Sequence, residues 1–263
     1  MTAQGAGREG RVVLALGRRA LSVQFRRAQL LMPTFVLPLM LLAVIASGTS
    51  AAQDLKEFPD VGSYLAFIVP GTIIQGALLA GLTSGTALAA DIEFGFFDRL
   101  LAAPVRRTSL VLGRLSGTLG LSVLQSAFFL TVAFAFGARY PGGLGALVLA
   151  ILLAAITAVG IGGIASAIAL RTGSLSLLQS IFPFVFVLLF TAPAFFPREL
   201  LTPTLHDIAA FNPLTYIVEA VRGLLSGDHS QGEPWKGFVA AFGLVTATTM
   251  LATFALQERL RRT

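Results

Sequence analysis

Seven charged residues crowd into the 24 positions from Asp91 to Arg114: Asp91, Glu93, Asp98, Arg99, Arg106, Arg107 and Arg114. No charge occurs in the 30 residues 61–90 before them, nor in the 24 residues 115–138 after them. Mixed carboxylates and guanidiniums at this density make ion pairs and charge-assisted hydrogen bonds, the contacts by which a soluble partner is gripped. A second grouping is Glu219 and Arg222, three apart on one helical face, where they can pair. If they do, reversing both charges should restore what a single change loses.

The catalytic chemistries lack their residues. There are no cysteines, which excludes disulfides, thiolate metal sites and thiol nucleophiles. His206 and His229 are too few for a histidine metal cluster. The chain contains no H-E-x-x-H pair, no G-x-S-x-G turn and no G-x-x-x-x-G-K-[ST] loop, and its two lysines, Lys56 and Lys236, stand in other contexts. No catalytic residue and no metal site is therefore assigned, and ATP hydrolysis by a P-loop is excluded. Uncharged apolar runs also disfavour an ion-coupled carrier with a carboxylate relay.

The elements that must position these charges lie in a membrane. Of 263 residues, 55% are hydrophobic and 12% charged, about half the charged fraction of soluble domains; the mean hydropathy is +0.81. Six uncharged runs, within 28–53, 61–90, 115–138, 140–170, 172–197 and 237–257, are each 21 residues or longer. A helical span needs about 20. Net charge is +6. The arginines sit at the ends of apolar runs, where lipid headgroups and topology explain them, so no nucleic-acid partner is expected. Fourteen of the 19 basic residues fall in the N-tail, the 91–114 loop, Arg171 and the C-tail. That asymmetry places this side and both termini in the cytoplasm. The expected architecture is an all-α polytopic membrane protein, a single transmembrane domain over 1–263 with six transmembrane helices.

Three segments outside the spans carry pattern. Over 11–27, Arg11, Arg18, Arg19 and Arg26 fall along one helical stripe, opposite apolar residues. This suits an amphipathic interfacial helix facing anionic lipid, with a plain topology-setting tail as the alternative. Small residues at 50–52 resemble a cleavage site, but the long preamble and apolar run fit a retained anchor. Within the cytoplasmic loop 91–107, Phe94, Phe97, Leu100 and Leu101 recur on one helical face, and Pro104 ends that helix. The expectation is that Phe94, Phe97 and Leu101 lie on the chain's own spans, leaving Asp91, Glu93, Asp98 and Arg99 to a partner or to water. An ordinary loop would show the same periodicity. In 196–235, Pro197, Pro203 and Pro213 divide the chain, and Asn212-Pro213 starts a helix expected over 214–225. It is too short to cross, so 198–225 is expected to form short extracytoplasmic re-entrant helices. Among 27 glycines, Gly81-x-x-x-Gly85 and Gly113-x-x-x-Gly117 have the small-xxx-small spacing of close helix contacts.

The run from Asp91-Ile92-Glu93-Phe94-Gly95 through Leu100-Leu101-Ala102-Ala103-Pro104-Val105-Arg106-Arg107 to Gly113-Arg114 resembles the loop between the second and third spans of ABC type-2 transporter permeases. Phe195-Phe196-Pro197 through Asn212-Pro213-Leu214-Thr215-Tyr216, with Glu219 and Arg222, is similar to their second signature. The resemblance covers essentially the whole chain and is closest to the daunorubicin-type drug-resistance exporter permeases. It implies a place in the bacterial cytoplasmic (inner) membrane and a permease dimer with a second copy or a paralogue. It implies two copies of a separate ATP-binding-cassette ATPase, on which ATP and Mg would be bound; this chain would hold no cofactor. It makes 91–103 the coupling helix, with Asp91, Glu93, Phe94, Gly95, Phe97, Asp98, Arg99, Pro104, Arg106 and Arg107 as coupling residues. It makes Pro197, Asn212, Pro213, Tyr216, Glu219 and Arg222 the extracytoplasmic gate. With 21 Phe against one Trp and three Tyr, apolar contact is favoured over the stacking and hydrogen bonding that sugars use. The expected cargo is an amphipathic drug, antibiotic or lipid. The alternatives are a polysaccharide or glycolipid exporter permease and a membrane scaffold without transport.

Overall fold

The computed structural model describes residues 15, 17–19, 21–22, 25, 28–48, 64–97, 99, 107–228, 230 and 232–262. Among them the regular structure is helical: α1 Ala28–Gly48, α2 Tyr64–Glu93, α3 Arg107–Ala135, α4 Gly143–Thr172, α5 Leu175–Phe190, α6 Pro203–Phe211, α7 Pro213–Ser226 and α8 Pro234–Arg262, with a 3-10 turn at Arg198–Leu200. Four helices are long and apolar enough to cross a membrane: α2, α3 from Gly113, α4 and α8 to Arg261. α1, with 21 residues, and the shorter apolar α5 complete the six expected runs. The 16 residues of α5 reach about 24 Å at 1.5 Å per residue, less than a 30 Å hydrocarbon core. Its apolar run continues to Pro197 as turns instead of helix.

α2 is the axis of the bundle. Its apolar stretch is 89% buried, against 22% for that of α8, because α1, α3, α4, α5 and α7 all pack on it. α4 carries two opposite contact faces, one for α2 and one for α8. Glycine sets both. A Cβ on Gly81 would lie 2.6 Å from the Ala158 carbonyl oxygen and 2.8 Å from the Gly162 nitrogen, and one on Gly85 would strike Ala165. On the other face, Gly160 and Gly163 accept Leu244 and Thr248 of α8. Lipid tails are as apolar as leucine, so helices in a bilayer gain by close backbone approach more than by burial from water. The Gly81-x-x-x-Gly85 pattern is thus a real interface.

Candidate functional site

The bundle has two polar ends. At the loop end, α2 continues helically through Glu93, and a turn at Phe94-Gly95 follows, with Gly95 at φ +69°. An L side chain rarely adopts that backbone, so glycine permits the break. Helix resumes at Phe96 and Phe97. The break rotates the two phenylalanines away from each other: Phe97 is 6% exposed and Phe94 is 73% exposed. The expectation that both lie on the chain's own spans therefore holds for Phe97 and is corrected for Phe94. An uninterrupted helical period was assumed there, and Gly95 interrupts it.

The charges of this end also differ from expectation in what they touch. Asp91 is not left to a partner: its Oδ2 pairs with Arg114 Nη2 at 2.6 Å, both side chains being partly shielded. Arg114 also donates from Nη1 to the Ser84 carbonyl at 3.4 Å. The hairpin of α2 and α3 is thereby clamped where it leaves the spans. Glu93 is exposed, yet its Oε2 accepts from the Leu175 amide at 3.1 Å. That amide opens α5, whose Ser174 cap accepts from Leu177. A carboxylate at a helix N-terminus satisfies an orphan amide and complements the helix dipole. α4 ends just before, at Gly173 with φ 63°, and Arg171 pairs with Glu258 of α8 at 3.3 Å. One end therefore links α2, α3, α4, α5 and α8.

The N-terminal segment rests on the same end. Gly17 lies against Ser116 and Leu21 against Gly120, so a small-residue stripe on α3 seats it. Gly113 belongs to this contact, its carbonyl lying under Gly17, a close helix approach of the kind the Gly113-x-x-x-Gly117 spacing marks. Arg18 and Arg19 are exposed. Arg19 stacks over the Phe96 ring at 4.1 Å, which joins the basic stripe to the loop. Arg99 is exposed and Arg107 opens α3. Arg11, Arg26, Asp98, Leu100, Leu101, Pro104 and Arg106 lie outside the described residues.

At the far end the irregular segment is a capped pair of short helices. Asn212 is 7% exposed. It caps α7 by accepting from the Leu214 amide at 2.9 Å, while its Nδ2 donates to the Leu188 carbonyl at 2.7 Å and to Thr191 Oγ1 at 3.0 Å. Pro213 sits at the first helical position, where no amide is needed. Tyr216 donates to the Ala210 carbonyl at 2.9 Å, fixing α7 against α6. Pro197 is buried and precedes the 3-10 turn. The helix expected over 214–225 is thus present as α7, which is buried along most of its length.

Arg222 is the residue whose role sequence reading missed. It is 5% exposed. Its Nη2 donates to the Pro193 carbonyl at 2.8 Å and to the Ala194 carbonyl at 3.4 Å, and its Nε to the Phe67 carbonyl at 3.4 Å. The guanidinium lies 3.8 Å over the Phe67 ring. It ties α2, the 191–196 turns and α7 together through backbone, and no spacing rule for side-chain pairs reveals carbonyl acceptors. Glu219 is half-buried on the same helix, one turn back. Tyr64 adds a parallel tie by donating to the Phe195 carbonyl at 3.1 Å. Along α5 and into the turn, Phe182, Phe186, Phe190 and Phe195 form a row with successive ring centroids 5.5, 6.5 and 5.6 Å apart.

Residues 11–225 match the ABC-2 type transporter family. A protein named as a transport permease, ycf38, from Porphyra purpurea is 30% identical over 214 residues, covering 81% of this chain and 73% of that one. Its counterpart from Pyropia yezoensis is 31% identical over 216 residues, covering 81% and 74%. The daunorubicin resistance ABC transporter permease protein DrrB1 from Streptomyces coeruleorubidus is 26% identical over 170 residues, covering 62% and 58%. A multi-pass helical bundle with these two polar ends, matched over most of its length, belongs to the ABC-2 type transporter family.

Proposed function

We propose that this chain is the transmembrane permease subunit of an ATP-driven exporter in a bacterial cytoplasmic membrane, with both termini and the 91–107 loop in the cytoplasm. It works as a dimer with a second permease, and two copies of a separate ATPase subunit bind the nucleotide and Mg. Family membership supports an ABC transporter with an ATPase partner. The observation that carries the rest is the loop end. Asp91, Glu93 and Phe97 hold the loop to α3, α5 and the core, while Phe94 and Arg99 stand exposed. A push on the exposed residues therefore reaches the spans through short, bonded contacts without slack.

The cargo is an amphipathic or hydrophobic molecule, a drug, antibiotic or lipid. The phenylalanine row on α5 supports this, since it offers apolar contact and no hydrogen bond. The name of the DrrB1 relative points the same way. The test is to express the chain with a candidate ATP-binding-cassette ATPase from the same genome, reconstitute the complex in vesicles, and measure daunorubicin accumulation and ATP hydrolysis together. Hydrolysis stimulated by the drug, with ATP-dependent accumulation, is the expected result. A stable complex that hydrolyses ATP and moves no drug or lipid would favour a scaffold. Failure of the chain to co-purify with any ATPase would overturn the reading.

A further inference from the structure

Inside the bundle, four residues carry buried polar atoms with no hydrogen-bond partner among the described residues: Gln75 at both Nε2 and Oε1, Gln125 at Oε1, and Ser122 and Ser126 at Oγ. All four are at most 1% exposed. Neighbouring hydroxyls behave differently. Thr83, Thr118 and Thr157 each return their hydrogen to the carbonyl four residues back. Ser122 and Ser126 make no such bond.

Three of these residues occupy one region. Ser122, Gln125 and Ser126 fall within an arc of about 100° on α3. Gln125 meets α1 there, donating from Nε2 to Thr34 Oγ1 at 2.8 Å and to the Thr34 carbonyl at 3.3 Å. α2 meets α3 one turn further on, where a Cβ on Gly76 would lie 2.6 Å from the Phe129 ring. α2 and α3 run antiparallel, since Asp91 pairs with Arg114 at the other end of the same contact. Gln75 and Ser126 therefore differ in depth by about 6 Å. Gln75 stands at the middle of the uncharged run 61–90. At that depth an amide with neither donor nor acceptor satisfied is strongly unfavourable in hydrocarbon. The face of α2 toward α4 shows the contrast: it is sealed by backbone contact at Gly81 and Gly85.

We infer that the seam where α1 and α3 meet α2 is a binding site for water. The ligand must be small and neutral and must offer both a donor and an acceptor. The Gln125 carboxamide and two serine hydroxyls present that complement, with the Gln75 carboxamide at a similar depth on α2, and the ion pair of Asp91 with Arg114 is already satisfied at the loop end. Buried waters take about three such partners each.

The chain's freedom from cysteine makes the test direct. Thiols react with methanethiosulfonates as thiolates, which form in water and are suppressed in apolar surroundings. Ser126→Cys, Ser122→Cys and Gln75→Cys are expressed one at a time in the full chain, and membranes are treated with 2-aminoethyl methanethiosulfonate. Two small-residue controls on α3 bracket them: Ala133→Cys at a fully buried apolar position and Val123→Cys at an exposed one. The expected result is that Ser126→Cys or Ser122→Cys reacts on the order of tenfold faster than either control. Rates at both serine positions within about threefold of Ala133→Cys or Val123→Cys would overturn the inference. The serine exchanges are nearly isosteric, so the outcome does not hang on the folding of Gln75→Cys. No ATPase or cargo enters the measurement, so its result is separate from that of the export test.

Discussion

Replacing Arg222 tests how much its carbonyl and ring contacts hold the far end together. Its guanidinium donates to three backbone carbonyls, at 2.8, 3.4 and 3.4 Å, and lies 3.8 Å over the Phe67 ring. A hydrogen bond to a charged group contributes about 1.5–3 kcal/mol, and the two long ones fall below that range. A desolvated cation–π contact adds about 2 kcal/mol. Against these stands the cost of holding a cation at 5% exposure, which Arg222→Ala relieves in part. The net loss expected for Arg222→Ala is about 3 kcal/mol, which for a chain of this size lowers Tm by about 6–12 °C. Arg222→Lys keeps the charge but cannot span Phe67 and Pro193 with one ammonium, and should lose about half as much. The double change Glu219→Arg with Arg222→Glu tests the carbonyl contacts directly. A carboxylate at position 222 would face carbonyl oxygens that cannot donate, so the swap should be less stable than Arg222→Ala. The assay is thermal unfolding of the detergent-purified chain, followed by loss of the monodisperse chromatographic peak. A double variant at or above the Tm of Arg222→Ala, or an Arg222→Ala shift under about 2 °C, would refute the reasoning.

At the α2–α4 contact, Gly85→Ala should destabilise by about 1–3 kcal/mol because its Cβ meets Ala165. Gly243→Ala on α8 meets nothing within 4 Å and should stabilise by about 0.5–1 kcal/mol; Tm shifts of opposite sign check the pair. At the loop end, Phe97→Ala should cost about 3 kcal/mol of stability. Phe94→Ala should leave Tm unchanged and weaken ATPase co-purification or uncouple hydrolysis from export. Equal effects of the two on Tm would contradict the Gly95 break. Tyr140 donates to the Leu130 carbonyl at 3.0 Å, and burial pushes its phenol up from the ordinary value of 10.0. The folded chain then holds a proton that the unfolded chain releases, so this stabilisation is complete below pH 10 and is lost as pH rises above it. Thermal unfolding from pH 8 to 11 should show a steeper alkaline decline for the native chain than for Tyr140→Phe.

Long uncharged runs between charged ends were enough to determine a polytopic helical protein. Only helices and closed barrels satisfy every backbone amide and carbonyl in hydrocarbon, and a barrel strand is about half the length of these runs. The start of α7 was equally legible, because Asn212-Pro213 joins a cap to a proline that needs no donor. Both are local properties, fixed by residues adjacent in the chain. The partners of the polar groups were not local. Asp91 and Arg114 are 23 residues apart, Glu93 and Leu175 82 apart, and Arg222 and Phe67 155 apart. Which carboxylate is spent within the chain and which residue faces outward depends on where α3, α5 and α7 come to rest. The tertiary structure likewise decided the meaning of the glycines. Gly81 and Gly85 admit α4, Gly95 turns Phe94 outward, and Gly120 seats the N-terminal segment. A missing side chain records that something approaches closely, and only the packed bundle shows what does.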